Sequence, residues 1–290
     1  MRTALFVPGN RPERIDKALR LDADAVIVDL EDAVPVNLKS YTRNIVRDKI
    51  RNNTGGIIFV RLNSLETGHT REDLDAVVTD DLRGVMLPKV EGADHVAKIN
   101  TMIIDVERAR ERDADSIVLL LLIETALAVE NISAIVTAAS RLKRTSMIAF
   151  GAVDFALDMG ITLSSGGDEL LYPRAKIAVS TRSGNLPPPI DTPFVLDLKD
   201  LEALEKDALR AKSLGFGGKL CIHPNQIAIV NKVFTPTEEE IEKATMVVKC
   251  FQEAEAQGIS AIQVEGKFID YPVVEQARRI LDMAEYLSNK

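Results

Sequence analysis

The sequence predicts an α/β protein built as a (β/α)8 TIM barrel with a C-terminal helix–hairpin–helix extension. Three observations carry that reading. Short apolar runs alternate with stretches of helical spacing, the mark of parallel strands joined by helical crossovers. Eight such units occupy about 230 residues, a length that closes a barrel. Polar residues recur at one place in each unit, directly after the apolar run. A doubly wound open sheet is the alternative for the same alternation. No internal repeat of fixed period is present.

The first strand is Thr3 to Val7, closed by Pro8-Gly9, and a polar helix follows from Pro12 to Leu21. The second apolar run, Val26-Ile27-Val28, ends in Asp29, Glu31 and Asp32. Lys39 to Arg51 has helical spacing and stops at Asn52-Asn53-Thr54-Gly55-Gly56. Ile57 to Val60 is the third strand and runs into Arg61-Leu62-Asn63; a helix follows near Arg71 to Val78. Gly84 to Leu87 is the fourth strand, closed by Pro88-Lys89, and Ala93 to Arg112 is a long amphipathic helix. Ser116 to Ile123 is the fifth strand, ending at Glu124, and Ala126 to Leu142 is helical. Met147 to Phe150 is the sixth strand, leading into Gly151-Ala152-Val153-Asp154.

Leu163 to Glu169 reads as a mobile loop, and Arg174 to Ser183 as helix. Pro187-Pro188-Pro189 is a stiff connector, so Phe194-Val195-Leu196 is taken as the seventh strand. Asp200 to Leu214 is helix, and Gly218 to Ile222 is the eighth strand, ending His223-Pro224. Residues 1–235 thus form the catalytic barrel, and residues 236–290 an extension read as a lid or oligomer interface. In it Thr237 to Gln257 is a helix with Thr237 as cap and Glu240 three residues on. Glu265-Gly266 turns a hairpin, and Pro272 to Leu287 is the last helix.

Composition removes several function classes. Net charge is −8 without a Lys/Arg block, so the basic footprint of a nucleic-acid binder is missing. Cys221 and Cys250 form no CxxC pair, which implies a reducing compartment and no disulfide framework. The apolar run Ile117 to Ile123 falls far short of the ~20 residues that span a bilayer. The start carries no signal-peptide pattern. The expected location is cytoplasmic, with a processed mitochondrial form as the alternative.

If the barrel closes, Asp29, Glu31, Asp32, Arg61, Asn63, Lys89, Glu124, Asp154 and His223 converge on its C-terminal face, where barrel enzymes place their chemistry. The set is rich in carboxylates and lacks a convincing nucleophile. Hard oxygen donors with few histidines select Mg2+ or Mn2+ over zinc. Glu124 and Asp154, on neighbouring strands, suit one or two carboxylate ligands; a plain surface or capping carboxylate is the alternative for each. Arg61 fits either a rim salt bridge or a bidentate clamp on a carboxylate. Gly151 and Ala152 could offer bare backbone N–H groups to an anion. His223 fits a buried hydrogen-bonded role as well as a catalytic one. Gly215 to Lys219 could hold a phosphate, though a plain helix-to-strand turn explains it.

The ordered set Leu5-Phe6-Val7-Pro8-Gly9, Asp29-Leu30-Glu31-Asp32-Ala33-Val34, Arg61-Leu62-Asn63, Leu87-Pro88-Lys89, Ile123-Glu124-Thr125, Phe150-Gly151-Ala152-x-Asp154, Gly215-Phe216-x-Gly218-Lys219-x-x-Ile222-His223-Pro224-x-Gln226 and Gly266-Lys267-x-Ile269-Asp270 resembles a known family. That family is the HpcH/HpaI aldolase/citrate lyase family, in its citrate lyase β-subunit-like branch with malyl-CoA and citramalyl-CoA lyases. The resemblance implies Mg2+ held at Glu124 and Asp154, and a 2-oxo or 2-hydroxy acid met by Arg61, Glu124, Asp29 and the backbone of Gly151 and Ala152. It implies Glu31 and Asp32 around metal-bound water. Asp270 is implied as the acid/base, delivered to a neighbouring subunit of a homotrimer, with Arg61 as its catalytic companion. Arg11 and Lys17 are implied to meet the CoA phosphates.

The activity so implied is reversible C–C cleavage of a 3-hydroxyacyl-CoA thioester such as malyl-CoA or citramalyl-CoA, giving acetyl-CoA and a 2-oxo acid. Three features depart from the family's pattern. Val153 stands where many members carry Glu, Glu265 where Asp or Asn is frequent, and His223 where citrate lyase β subunits often carry Asn. The last favours a stand-alone CoA enzyme over a subunit of a citrate lyase complex. The rival readings are that complex's citryl-thioester lyase subunit, a CoA-independent pyruvate aldolase, and a non-catalytic barrel kept as a binding subunit.

Overall fold

The computed structural model describes residues 1–53 and 55–288. The chain divides into two compact units, Met1–Asn231 and Lys232 onward. In the first, eight parallel strands close into a barrel in chain order. They are β1 (Thr3–Pro8), β2 (Ala25–Asp29), β3 (Ile58–Arg61), β4 (Gly84–Leu87), β5 (Val118–Ile123), β6 (Ser146–Phe150), β7 (Ile190–Asp191) and β8 (Gly218–Cys221). Ala4 opposite Leu220 joins the last strand to the first. The helices between them are α1 (Pro12–Ala18), α2 (Lys39–Arg51), α3 (Thr70–Val77), α4 (Ala93–Ala109), α5 (Ala126–Glu130), α6 (Ile132–Ser140), α7 (Ala152–Met159), α8 (Leu171–Ser183) and α9 (Leu201–Ser213). After β8 comes α10 (Asn225–Phe234). Among the described residues no helix is long and apolar enough to cross a membrane.

Successive strand residues face opposite sides. One set fills the barrel: Ala4, Ile27, Phe59, Met86, Leu120, Ala149, Ile190 and Leu220 belong to one buried cluster. The other set meets the helices, so the strands are apolar on both faces and read as unbroken apolar runs. Gly84 makes room inside, since a Cβ there would lie 2.5 Å from the Phe59 ring and 2.5 Å from the Val118 carbonyl.

Behind β7 and β8 the layer is ionic. Lys219 Nζ lies 2.5 Å from both Asp191 and Asp207, and Arg174 Nη2 lies 2.9 Å from Asp191 and 2.8 Å from Asp207. Asp191, Arg174 and Lys219 are fully buried. Such a network holds only while complete, because removing one partner strands a charge in the interior.

Several expected elements need correction. The seventh strand is Ile190–Asp191, not Phe194 to Leu196. It begins directly after the triple proline, pairs with β6 through Ala149 and with β8 through Gly218, and is ended by Pro193. The helix expected over Ala126 to Leu142 breaks at Asn131, whose side chain donates to the Glu91 carbonyl. Two helices were not expected: Gly151 caps α7, which Ala152 to Asp154 open, and α10 follows His223-Pro224. The 163–169 segment is a loop as expected, with Ser164 N–H and Oγ donating to Glu169 and a 3-10 turn beginning at Asp168.

The second unit holds α11 (Glu238–Glu255), the hairpin β9 (Ile262–Val264) and β10 (Lys267–Ile269), and α12 (Tyr271–Ser288). Thr237 and Glu240 form a reciprocal capping box. Glu265 and Gly266 take φ of 49° and 78°, the left-handed pair that a two-residue hairpin turn requires. Phe251, Ile269 and Val274 form its small core.

Candidate active site

Two residues beyond an inward-facing core residue, several strands deliver a side chain or backbone to the mouth. Ile27 leads to Asp29, Phe59 to Arg61, Leu122 to Glu124, Ala149 to Gly151 and Ile190 to Thr192. The two-residue period of a strand stacks these groups at one end of the parallel sheet. There Arg61, Glu124, Gly151 and Thr192 border a cavity of about 170 Å3. Its polar lining residues are Asp32, Arg61, Glu124, Asp154 and Thr192; its apolar ones are Phe6, Leu122, Val153, Pro193 and Leu220.

The acidic stretch is folded by its own carboxylates. Asp29 Oδ1 accepts from the Glu31 N–H at 2.8 Å and Oδ2 from the Ala33 N–H at 3.0 Å. Those same oxygens take both tines of Arg61, Nε and Nη2, at 2.7 Å each. Arg61 also stacks over Phe6, 5.0 Å from the ring centre. Asp29, expected to touch substrate, does not line the cavity: it is buried and holds Arg61 instead. Arg61 reaches the cavity with its fork already engaged, leaving Nη1 near Glu31 at 3.0 Å and Asp32 at 3.7 Å. Beneath the stretch, the Lys39 ammonium donates to the carbonyls of Leu30 (2.9 Å) and Glu31 (3.0 Å) and to Asn63 Oδ1 (2.5 Å).

Burial would raise the Asp29 carboxyl, but Arg61 and the two backbone N–H groups together hold it below the usual range. Glu31 is the opposite case. Burial pushes it up to about 7, against the pull of Arg61 and Lys89 and with the push of Asp32 and Asp29. Its Oε2 is buried without a hydrogen bond. Glu124 is pushed well above the carboxylate range by burial first, then by the charges of Glu31 and Asp154; the hydrogen bond from the Lys89 N–H, 2.8 Å, only partly offsets this.

Glu124, Gly151 and Asp154 all border the cavity. A Cβ on Gly151 would fall 2.8 Å from Glu124 Oε2. The expectation of bare N–H groups at Gly151 and Ala152 needs correction. Gly151 donates to the Ile123 carbonyl and Ala152 to Thr192 Oγ1, both at 2.9 Å. Thr192 takes up the second donor because the true seventh strand places it there.

The donor set fits a divalent hard cation. Glu124 is buried among like charges, and a cation beside Asp154 removes the repulsion that holds its proton. Among the described residues no group of three or more His, Cys, Asp or Glu side chains is arranged around a metal. Two carboxylates with remaining positions left to water and substrate is the usual Mg2+ arrangement.

The other expected residues lie elsewhere. Arg11 is exposed just before α1, at the mouth end of that helix, while exposed Lys17 is in its last turn. His223 Nδ1 accepts from the Asn225 N–H at the start of α10. Gly215 to Lys219 is a helix-to-strand turn, with Lys219 committed to the buried ion network rather than to a phosphate. Asp270 belongs to the second unit, where its carboxylate accepts from the Val273 N–H at 3.3 Å, at the start of α12. Phe6, Thr192, Pro193 and Lys39 were not singled out from sequence. Thr192 and Pro193 were hidden by the misplaced strand, and Lys39 by its place at a helix start.

Known proteins resemble this chain over its length. Residues 2–224 match the family model described as HpcH/HpaI aldolase/citrate lyase, and residues 180–288 match a C–C bond lyase of the TIM-barrel fold. The citrate lyase subunit beta of Leuconostoc mesenteroides subsp. cremoris is 35% identical over 285 residues, covering 98% of this chain and 93% of the relative. The mitochondrial citramalyl-CoA lyase of Rattus norvegicus is 30% identical over all of this chain and 87% of its own length. A solved structure of the CitE protein of Mycobacterium tuberculosis, in complex with magnesium, acetoacetate and coenzyme A, superposes with a TM-score of 0.78 at 29% identity, covering 98% of each chain. The chain belongs to the HpcH/HpaI aldolase/citrate lyase family.

Proposed function

We propose that this protein is a Mg2+-dependent carbon–carbon lyase that cleaves a 3-hydroxyacyl-CoA thioester, such as malyl-CoA or citramalyl-CoA, to acetyl-CoA and a 2-oxo acid. The observation that carries the reading is the pair Glu124 and Asp154 beside Arg61 on one small cavity at the C-terminal end of the strands. The magnesium and coenzyme A bound to the Mycobacterium tuberculosis relative support it.

Glu124 and Asp154 would hold the metal, which when bound supplies Lewis-acid polarisation of the substrate's hydroxyl and carboxylate oxygens. Arg61, fixed by Asp29 and Phe6, would offer Nη1, otherwise paired with Glu31, to charge that develops as the C–C bond breaks. Glu31 and Asp32 orient water around the ion. The hydroxyl passes its proton to water at the site, the C–C bond electrons pass to the thioester enolate, and Asp270, in its acid form, protonates the enolate carbon and regains a proton from solvent; condensation runs the same step backwards. Asp270 is drawn from a neighbouring subunit of a homotrimer, and Arg11 and Lys17 meet the CoA phosphates. No covalent intermediate on the protein is required.

The likeness to citrate lyase beta subunits favours a second reading, a citryl-thioester lyase subunit working within a complex and releasing oxaloacetate. An assay with Mg2+ on malyl-, citramalyl- and citryl-CoA, following the free oxo acid, separates the two. Cleavage of a malyl- or citramalyl-type thioester by the isolated protein is expected; failure on all three overturns the proposal. Asp270→Ala should abolish turnover while Mg2+ and the oxo acid still bind. Turnover at the wild-type rate in that variant removes Asp270 from the mechanism.

A further inference from the structure

Among the described residues, five other than glycine take left-handed backbone: Lys89, Glu111, Asp115, Asn185 and Glu265. Side chains with a Cβ enter this region at a cost, and stay there only where their surroundings hold them. Glu111, Asp115 and Asn185 lie in connections after α4 and α8, and Glu265 turns the hairpin. Lys89 is different. It lies two residues after β4, with φ of 52°, and its N–H donates to Glu124 Oε1 at 2.8 Å. The other carboxylate oxygen, Oε2, then lies beside Gly151, where a Cβ would fall 2.8 Å from it. Backbone thus orients Glu124 at two places, an N–H on one oxygen and a bare glycine beside the other.

The chain is anchored on both sides of Lys89. Before it, Leu87 is in register with Leu121 of β5. After it, the Val90 N–H donates to the Leu122 carbonyl at 3.3 Å. The Glu91 carbonyl accepts from Asn131 Nδ2 at 2.8 Å, and its carboxylate accepts from Thr125 Oγ1 at 2.9 Å. Between these anchors, a residue that leaves the left-handed region cannot keep both the later ties and the N–H on Glu124. We infer that Lys89 is a positioning residue for the metal carboxylate: its left-handed backbone holds Glu124 in the orientation that meets the cation. The inference rests on the proposed Mg2+-dependent lyase reading and deepens it. The Lys89 side chain has a partner of its own, with Nζ 3.4 Å from Glu31 Oε1. The backbone effect is therefore read among variants that all lack the ammonium.

The test is calorimetric Mg2+ affinity of the full chain carrying Lys89→Gly, Lys89→Met or Lys89→Val, beside urea unfolding of each with a chelator present. Glycine takes the left-handed region freely, methionine at the cost that lysine already bears, and β-branched valine least readily. Lys89→Gly should bind Mg2+ at least as tightly as Lys89→Met, and Lys89→Val about tenfold or more weakly than Lys89→Gly. Equal Mg2+ affinity in folded Gly and Val variants overturns the inference and leaves the metal pair standing, whatever the urea midpoints show. If the Val variant does not fold, Lys89→Ala replaces it. About threefold weaker Mg2+ binding than in Lys89→Gly is then expected, and equality again overturns the inference. A wild-type protein that binds no Mg2+ overturns both this inference and the lyase reading.

Discussion

At the scale of single residues, the site depends on charges that are buried by design and held by few contacts. Lys39 is the clearest case. It ties the carbonyls of Leu30 and Glu31 to Asn63 and so sets where Asp29 and Glu31 point. Lys39→Met removes the ammonium from the Leu30 carbonyl and Asn63 Oδ1, while the Glu31 carbonyl keeps the Val34 N–H, and should destabilise the fold by about 2–3 kcal/mol, read by urea unfolding. Glu31 gives a pH signature. Its unfolded value near 4.5 rises to about 7 on folding. Below 4.5 both states carry the proton; between 4.5 and 7 the unfolded chain releases it and the folded protein retains it. Stability of the metal-free protein is therefore lost as pH rises through that window, by about 3 kcal/mol from this residue. Denaturation with a chelator at pH 5 and pH 8 should show the fall, and Glu31→Gln should flatten it; an equal slope in the variant contradicts the assignment. Asp29 acts in the opposite sense, stabilising above its unfolded value and losing that contribution as pH falls. These residues were legible from the sequence as a carboxylate cluster, but their partners were not. That Arg61 is spent on Asp29 follows from parallel register, Asp29 opposite Arg61 across β2 and β3, which no local pattern reveals.

At the scale of elements, the apolar runs identified seven of the eight strands, because strands buried on both faces need unbroken apolar residues. The seventh was lost for a physical reason. Its two residues include Asp191, whose charge is neutralised behind the sheet by Arg174 and Lys219, so the run does not look apolar. The same network gives an element-level expectation. Lys219→Met should leave Asp191 and Asp207 short of a cation and cost about 3–5 kcal/mol, measured as a shift in the urea midpoint. A neutral effect would mean that the network contributes little to joining β7, β8, α8 and α9. Helix α7 is short and follows β6 directly through Gly151, so no separate helical stretch stands out in the sequence; its start places Asp154 in a first turn, on the cavity.

At the scale of the whole molecule, barrel closure does the assembling: residues from position 6 to position 220 meet at one cavity only because eight strands share one direction. The second unit is compact on its own helices and hairpin, and its proposed role is to supply Asp270 to a neighbouring subunit. The central claim is that Glu124 and Asp154 hold Mg2+ for thioester cleavage. The measurement that tests it most directly is release of the 2-oxo acid from citramalyl-CoA by wild type and Asp154→Asn, before and after chelation and Mg2+ re-addition. The account predicts wild-type activity lost on chelation and restored by Mg2+, with the variant at least about 100-fold slower. Cleavage that survives chelation, or a variant as fast as wild type, would contradict it.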